Sequence, residues 1–553
     1  MVDFSKEIKA YALKNAIEFG KADSGKILPK LFQHGLEKEG IKSILPEIEK
    51  IVEEVNALAS DERNLLFANY EAIVKVKEEK TNELPPLPQI KKGKKPIFRA
   101  APFPSGALHL GNAKTFILNA LYAEKYKGKL LLVMDDTIGS AEKPIDSESY
   151  TLIEDAFKWL KIKYDKKVIY KSDRLKIYYK YAVELIKKDK AYVCHCTQEE
   201  LRENRLEGKA CGCRILPKNL QLLRWKKMFN MKEGEAILRI KTDMLHPNPA
   251  FRDRVLFKIS ERQHPRVKNK YKVWPTLEMS MAIDDHLLKV THIIRGSDLL
   301  IETDMEKFIW DIFSWSAPVT IHTGLVNIEG AKISKSKAQK EIKSGEFTGW
   351  DDPRTWSIQS LRRRGIKPEA IREFVKEIGL NKQNITVPID TLYAINRKLI
   401  DSSTNRYSFI FSPLKLQIQK KPDWKEVSIP LHPSKSETRK IQLNDIYISE
   451  QDFNEFKNKE IRLLHLFNIN LGKTSELTSI DNKDIPKINW VSSSVPARIL
   501  TPAGAWIEGI ADEGIKSLKP KETLQFERFG FVTFDKITKS KDKTFYDFWF
   551  AHK

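Results

Sequence analysis

Residues 96–136 read PIFRAAPFPSGALHLGNAKTFILNALYAEKYKGKLLLVMDD, and this stretch decides the fold. PIFRAA is a short apolar run of strand type. NAKTFILNALYAEKYKG has helical periodicity and is closed by Gly128. KLLLVMDD is a second buried strand. Strand, helix and strand in that order make a βαβ unit, whose runs suit a parallel sheet covered on both faces. Similar texture returns at VTHIIRG, DMEKFIWDIFSW and VTIHTG, which predicts two halves of one doubly wound sheet.

Ligands of such sheets bind beyond the carboxyl ends of the strands. That rule picks out Arg99 with the loop to Asn112, then Asp135 and Asp136, then Arg295, and finally the lysine-serine run 332–336. Within the first loop Pro102 and Pro104 hold the chain extended, and Gly106 allows a sharp turn. Gly111 leaves no side chain where backbone would approach a ligand. His109 stands at the helix start, where unpaired N–H groups and the positive dipole end favour phosphate. Lys332, Ser334 and Lys335 follow Gly330, and the two lysines supply cations for charge that develops on phosphorus and pyrophosphate. No G-x-x-x-x-G-K-[ST] occurs, so a P-loop mechanism has no support.

The remaining chain gives context. At 553 residues it exceeds what one core can hold. Residues 1–95 read as helices, with Ile51, Val52 and Val55 inward and Glu53 and Glu54 outward, and end in a proline- and lysine-rich linker. The formal charge is +22, and residues 1–95 hold 17 basic and 16 acidic side chains, so the excess belongs to the body. Such an excess fits a nucleic-acid partner, and equally a lysine-rich solvated surface. No stretch reaches the ~18 apolar residues of a membrane span, so a cytoplasmic protein is expected. All four cysteines, Cys194, Cys196, Cys211 and Cys213, lie in two C-x-C pairs fourteen residues apart. They suit tetrahedral zinc, or remain two pairs of free thiols.

P-x-P-S-G-x-L-H-L-G-N together with K-I-S-K-S resembles the two signatures of class I aminoacyl-tRNA synthetases. The tract GEFTGWDDPRTWSIQSLRRRGIKPEAIREF, 345–374, narrows the resemblance to the glutamyl and glutaminyl branch, of archaeal glutamyl type. The resemblance implies ATP with Mg2+ as cosubstrate and glutamate as the amino acid. It also implies tRNA(Glu) as acceptor, with tRNA(Gln) left open. His109, Lys332 and Lys335 would be catalytic. Pro104, Gly106, His109, Gly111, Asn112, Lys332, Ser334 and Lys335 would hold ATP. Arg99 and Asp135 would hold the amino acid's carboxylate and α-amino group, and Arg295 would read its γ-carboxylate through a fixed fork. Three positions depart from the family pattern: Leu277 stands where a tyrosine is usual, Val133 where an arginine is, and Phe103 where a polar residue is.

The expected architecture is a multidomain one: a Rossmann-like catalytic domain with an insertion, a helical N-terminal extension and C-terminal antiparallel β-barrels. Its expected parts are the extension and linker at 1–95, catalytic halves at 96–189 and 273–330, and an acceptor-end insertion at 190–272. The signature loop and tRNA-stem region spans 331–400, and the anticodon barrels span 401–553. Arg362, Arg363 and Arg364 would meet tRNA as a basic helix. Phe526, Phe529 and Phe531 are aromatic candidates for base stacking, with core the favoured reading. Two other functions stay open, a non-catalytic tRNA-binding relative and a glutaminyl enzyme, as does a protein partner for residues 1–95.

Overall fold

The structure is a computed structural model that describes residues 3–37, 40–70, 73–74, 83–90, 93–139, 144–165, 167–330, 335–540 and 543–553. It forms two compact units, Met1–Glu83 and Leu84–Lys553. Among the described residues no helix is long and apolar enough to cross a membrane.

The first unit packs α1 (Ser5–Phe19), α2 (Ser24–Leu31), α3 (Ile41–Ala57) and α4 (Ser60–Phe67) around Ile8, Leu13, Ile27, Ile48 and Val55. Helix α1 stops at Gly20, which adopts φ 80°, a left-handed conformation that glycine takes without a Cβ penalty. In α3 the expected alternation holds: Ile51, Val52 and Val55 are buried and Glu53 and Glu54 are exposed.

The second unit opens with β1 (Ile97–Ala100), α5 (Leu110–Lys125), β2 (Lys129–Met134), α6 (Glu148–Trp159), β3 (Ile169–Tyr170) and α7 (Leu175–Lys187). After an insertion come α10 (Leu277–Leu287), β8 (His292–Gly296), α11 (Leu300–Ile312) and β9 (Val319–Thr323). Strands β1, β2 and β3 pair in parallel, as do β8 and β9. Strand β8 adjoins β1, since the Thr291 N–H donates to the Ile97 carbonyl at 2.9 Å and the Ile97 N–H donates to Thr291 Oγ1 at 2.8 Å. The spatial order β3-β2-β1-β8-β9 is doubly wound, and it reverses between β1 and β8. Side chains alternate as the pleat requires. Leu130, Leu132 and Met134 join the core under α5, while Leu131 and Val133 join the core under α7, α10 and α11.

Two expected boundaries move. Part of the predicted linker is a strap on α5: Leu84 and Leu87 are buried in its core, and Tyr122 Oη donates to the Pro85 carbonyl at 3.0 Å. A proline segment presents carbonyls that its own backbone cannot satisfy, and α5 supplies a donor. The insertion contains β4 (Ala191–Cys194), α8 (Gln198–Glu207), α9 (Lys218–Met228), β5 (Ile237–Ile240), β6 (Val255–Ile259) and β7 (Val273–Pro275). Its antiparallel sheet β4-β5-β6-β7 runs to Pro275 rather than 272, because β7 pairs with β6 and not with the central sheet.

Beyond β9 lie β10 (Val326–Glu329), α12 (Lys335–Lys343), α13 (Ile358–Arg363), α14 (Pro368–Ile378), β11 (Ile385–Pro388) and α15 (Ile389–Ile400). The rest is mostly antiparallel sheet. One seven-stranded sheet begins at Arg406–Tyr407 and ends at Phe409–Phe411, so only Ser408 separates its two edges and it curls almost shut. It is not purely antiparallel, for Ser494–Leu500 runs parallel to Thr544–His552. Phe526 and Phe531 are core residues, and Phe529 packs edge-on against Phe409 and Phe550.

Candidate active site

At the β1/β8 switch point lies a cleft of about 490 Å³. Its wall includes Arg99 from the end of β1, His109, Gly111 and Asn112 from the start of α5, and Arg295 from the end of β8. Residues nearly 200 positions apart in sequence thus share one wall, as the strand-end rule expects.

His109 begins α5 as its N-cap. Its Nδ1 accepts the Asn112 N–H at 3.3 Å, and Asn112 Oδ1 accepts the His109 N–H at 2.9 Å, a reciprocal cap that fixes the imidazole at the helix end. A Cβ on Gly111 would stand 3.3 Å from the His109 ring, so glycine keeps that approach open. Gly106 serves a different purpose: at φ 143° it lies under Trp350, whose ring a Cβ would meet at 2.4 Å. Pro104 is buried beside it and, like Gly106, is absent from the cleft wall.

Both arginines arrive already paired. Arg99 donates through Nε and Nη2 to the two oxygens of Asp285, at 2.5 and 3.0 Å. Arg295 donates through Nη1 and Nη2 to Glu306, at 2.6 and 3.1 Å, and through Nη1 to Thr303 Oγ1 at 3.0 Å. Its Nε is buried without a hydrogen-bond partner. The fork expected to face a ligand is therefore held by Glu306, whose carboxyl burial pushes up while Arg295 pulls it down. Asp135 does not line the cleft. It is buried and accepts from Lys171 Nζ at 2.7 Å, with Ser280 Oγ taking the same ammonium at 2.8 Å. Of the departures, Leu277 lines the cleft, Phe103 packs near Gly139, and Val133 is core, so only Leu277 bears on a ligand. Lys332 and Ser334 lie outside the described residues, and Lys335 opens α12.

Residues 97–402 match the family model "tRNA synthetases class I (E and Q), catalytic domain", and residues 404–491 and 487–535 match its two anti-codon binding domain models. A glutamate–tRNA ligase from Pyrococcus furiosus is 44% identical over 98% of this chain and 98% of its own length. One from Methanocaldococcus jannaschii is 38% identical over 99% of this chain and its whole length. The chain belongs to the archaeal-type glutamyl-tRNA synthetase family.

Within this synthetase the arginine triplet is not the basic face that its sequence suggests. Arg364 is fully buried and donates to the carbonyls of Phe550 and Ala551, at 3.0 and 2.7 Å, and to Tyr393 Oη at 2.8 Å. Arg363 bonds both Asp535 oxygens and Asp351, and its guanidinium lies over the Trp549 ring at 4.0 Å. These two fasten α13 to the C-terminal sheet. Only Arg362 faces outward, paired with Asp155 at 2.9 Å. Consecutive helical residues point about 100° apart, so one short helix cannot present all three to one surface.

The four cysteine sulfurs do converge, all within 4.8 Å of one another. Cys194 Sγ and Cys211 Sγ are 3.8 Å apart, which equals the edge of a tetrahedron with metal–sulfur bonds of about 2.3 Å. Arg239 is buried beneath them, with Nη1 3.8 Å from both sulfurs and Nη2 unpartnered. The Cys194 hydrogen bond and Arg239 hold the Cys211 thiol down, to about 4. The donor set fits zinc.

Sequence reasoning missed Asp285, Glu306, Lys171 and Lys114. The first three are partners that tertiary packing supplies. Lys114 carried a local signal, a lysine five residues beyond a signature histidine.

Proposed function

We propose that the chain is a glutamate–tRNA ligase, acting by adenylation and then transfer to the 3′ end of tRNA. The convergence of Arg99, His109, Gly111, Asn112 and Arg295 on one cleft is the observation that supports it most. An oxygen of the glutamate α-carboxylate attacks the α-phosphorus of ATP. The bond from that phosphorus to the bridging oxygen breaks, and pyrophosphate leaves with Mg2+. The chemistry needs little proton transfer and much charge stabilisation. His109 and the N–H groups at the start of α5 donate to the phosphates, and the charges of Lys332 and Lys335 offset that of the leaving pyrophosphate. A terminal ribose hydroxyl of tRNA then attacks the activated carbonyl, AMP departs, and the hydroxyl proton passes to solvent or to AMP.

Arg295, whose Nη atoms are taken by Glu306, reads the substrate side chain through the Nε left over, a donor that a carboxylate oxygen accepts more strongly than an amide oxygen does, which favours glutamate over glutamine. Glu306 holds Arg295 in one orientation, so the reader is set before the substrate arrives. The insertion takes the acceptor end of tRNA(Glu), and Cys194, Cys196, Cys211 and Cys213 hold a zinc ion that braces it. The C-terminal sheets take the anticodon, in the cytoplasm.

Aminoacylation with glutamate and glutamine, on tRNA(Glu) and tRNA(Gln) separately, tests the reading. Glutamate on tRNA(Glu) is the expected product. Glutamine as the better substrate would make this a glutaminyl enzyme, and no charging with either would leave an RNA-binding protein. Glutamate on tRNA(Gln) as well would extend the acceptor range.

A further inference from the structure

Lys114 has no part in the chemistry above. It stands on α5 five residues beyond His109, is 3% exposed, and lines the cleft. Among the described residues its one hydrogen bond runs to the Gly324 carbonyl, at 3.1 Å. Among the described residues no carboxylate offsets its burial, which pushes the ammonium down to about 8. A buried cation held only by a neutral carbonyl is costly to keep. Simple packing would be served better by methionine or leucine.

Gly324 is where the chain leaves β9 for the second signature. Its N–H donates to the Asn381 carbonyl at 2.7 Å, and a Cβ there would stand 2.0 Å from the Gln383 carbonyl oxygen. Next door, the Leu325 N–H donates to Asn384 Oδ1 at 2.8 Å, and the Ile385 N–H donates to the Leu325 carbonyl at 3.0 Å. Strand β10 then runs parallel to β11 as far as Glu329, just before Gly330 and the signature. The joint at Gly324 is thus gripped from two sides: residues 381–385 hold it through neutral bonds, and Lys114 holds it from the helix that presents His109.

We infer that Lys114 is a positioning residue for adenylation, fixing through Gly324 the spacing between the His109 helix and strand β10. The inference rests on the ligase reading for its consequence, though not for its geometry. Displacement of reacting groups by an ångström costs orders of magnitude in rate, whereas binding of each substrate is less sensitive.

Lys114→Met keeps the stem and its packing and removes the charge. In glutamate-dependent pyrophosphate exchange in the presence of tRNA(Glu) we expect its kcat to fall about tenfold or more, with KM for glutamate within about twofold. Lys114→Arg should recover a large part of the loss. Deuterium exchange of the peptide spanning 324–330 should quicken about tenfold in Lys114→Met, the equivalent of one lost charge-assisted bond. That second readout needs no activity, so a wild-type chain inert toward glutamate would sink the ligase reading while exchange still judged the joint. Unchanged deuterium exchange overturns the inference. So does an active wild type whose Lys114→Met variant keeps its kcat, or loses only affinity for ATP.

Discussion

Arg295 and Arg239 are both buried guanidiniums, and they are matched in opposite ways. Arg295 closes a bidentate pair with Glu306, so its charge is balanced inside the protein and a single Nε is left over. Arg239 donates Nε to the Asp253 carbonyl at 2.8 Å and points Nη1 at two cysteine sulfurs. Its anion is a set of thiols, which carry full charge only as thiolates. Four thiolates around Zn2+ have a net charge of −2, which suits a neighbouring cation. Arg295 is therefore balanced before any ligand comes, and the cysteine knuckle is balanced best with a metal.

Removing the metal is the harshest way to test that contrast. Purified protein should hold one zinc per chain, and Cys211→Ser should lose it and unfold the insertion. Metal analysis with circular dichroism checks this, and an insertion that stays folded with no metal would make the cysteines free thiols. Structural zinc contributes on the order of 10 kcal/mol to a small metal-dependent fold. On the other side, Glu306→Gln leaves Arg295 buried without its anion and should cost about 3–5 kcal/mol in urea unfolding. A loss below 1 kcal/mol would mean that water or another group already serves Arg295.

His552 offers a third solution, a buried group kept neutral. Burial drops its pKa from 6.5 to about 4, and its Nε2 meets Asn396 Nδ2 at 2.9 Å. Below pH 6.5 the unfolded chain takes up a proton that the folded chain refuses until about pH 4. This contribution is thus full above that window and is lost as pH falls through it, by about 3 kcal/mol in all. His552→Gln should flatten the slope of stability against pH, and an unaltered slope would place the effect elsewhere. The smallest effect belongs to the exposed pair: Arg362→Ala should change stability by at most about 0.5 kcal/mol, against about 1–3 kcal/mol for the strut Arg363→Ala.

The βαβ reading follows from residues 96–136 because period, turn and glycine all agree there, and Arg99, His109 and Arg295 follow from the strand-end rule. What escaped is of one kind. Asp285 lies 186 residues from Arg99, and Glu306, though only 11 residues beyond Arg295, sits on the next helix, where nothing in the sequence marks which acidic residue turns back to the strand end. The triplet at 362–364 looked like a surface because charge is usually solvated, yet Arg364 meets carbonyls nearly 190 residues away. The expected boundary at 272 cuts off β7, since a short apolar run does not say which neighbour it pairs with. Parallel pairing within the C-terminal sheet was equally invisible, because register and direction depend on the partner strand.

Pyrophosphate exchange in the presence of tRNA(Glu), run with glutamate and with glutamine, bears most directly on the claim that this cleft adenylates an acidic amino acid. The account predicts robust exchange with glutamate, exchange with glutamine lower by at least about a hundredfold, and loss of that preference in Arg295→Gln. Equal exchange with the two amino acids, or a preference that survives Arg295→Gln, would contradict it.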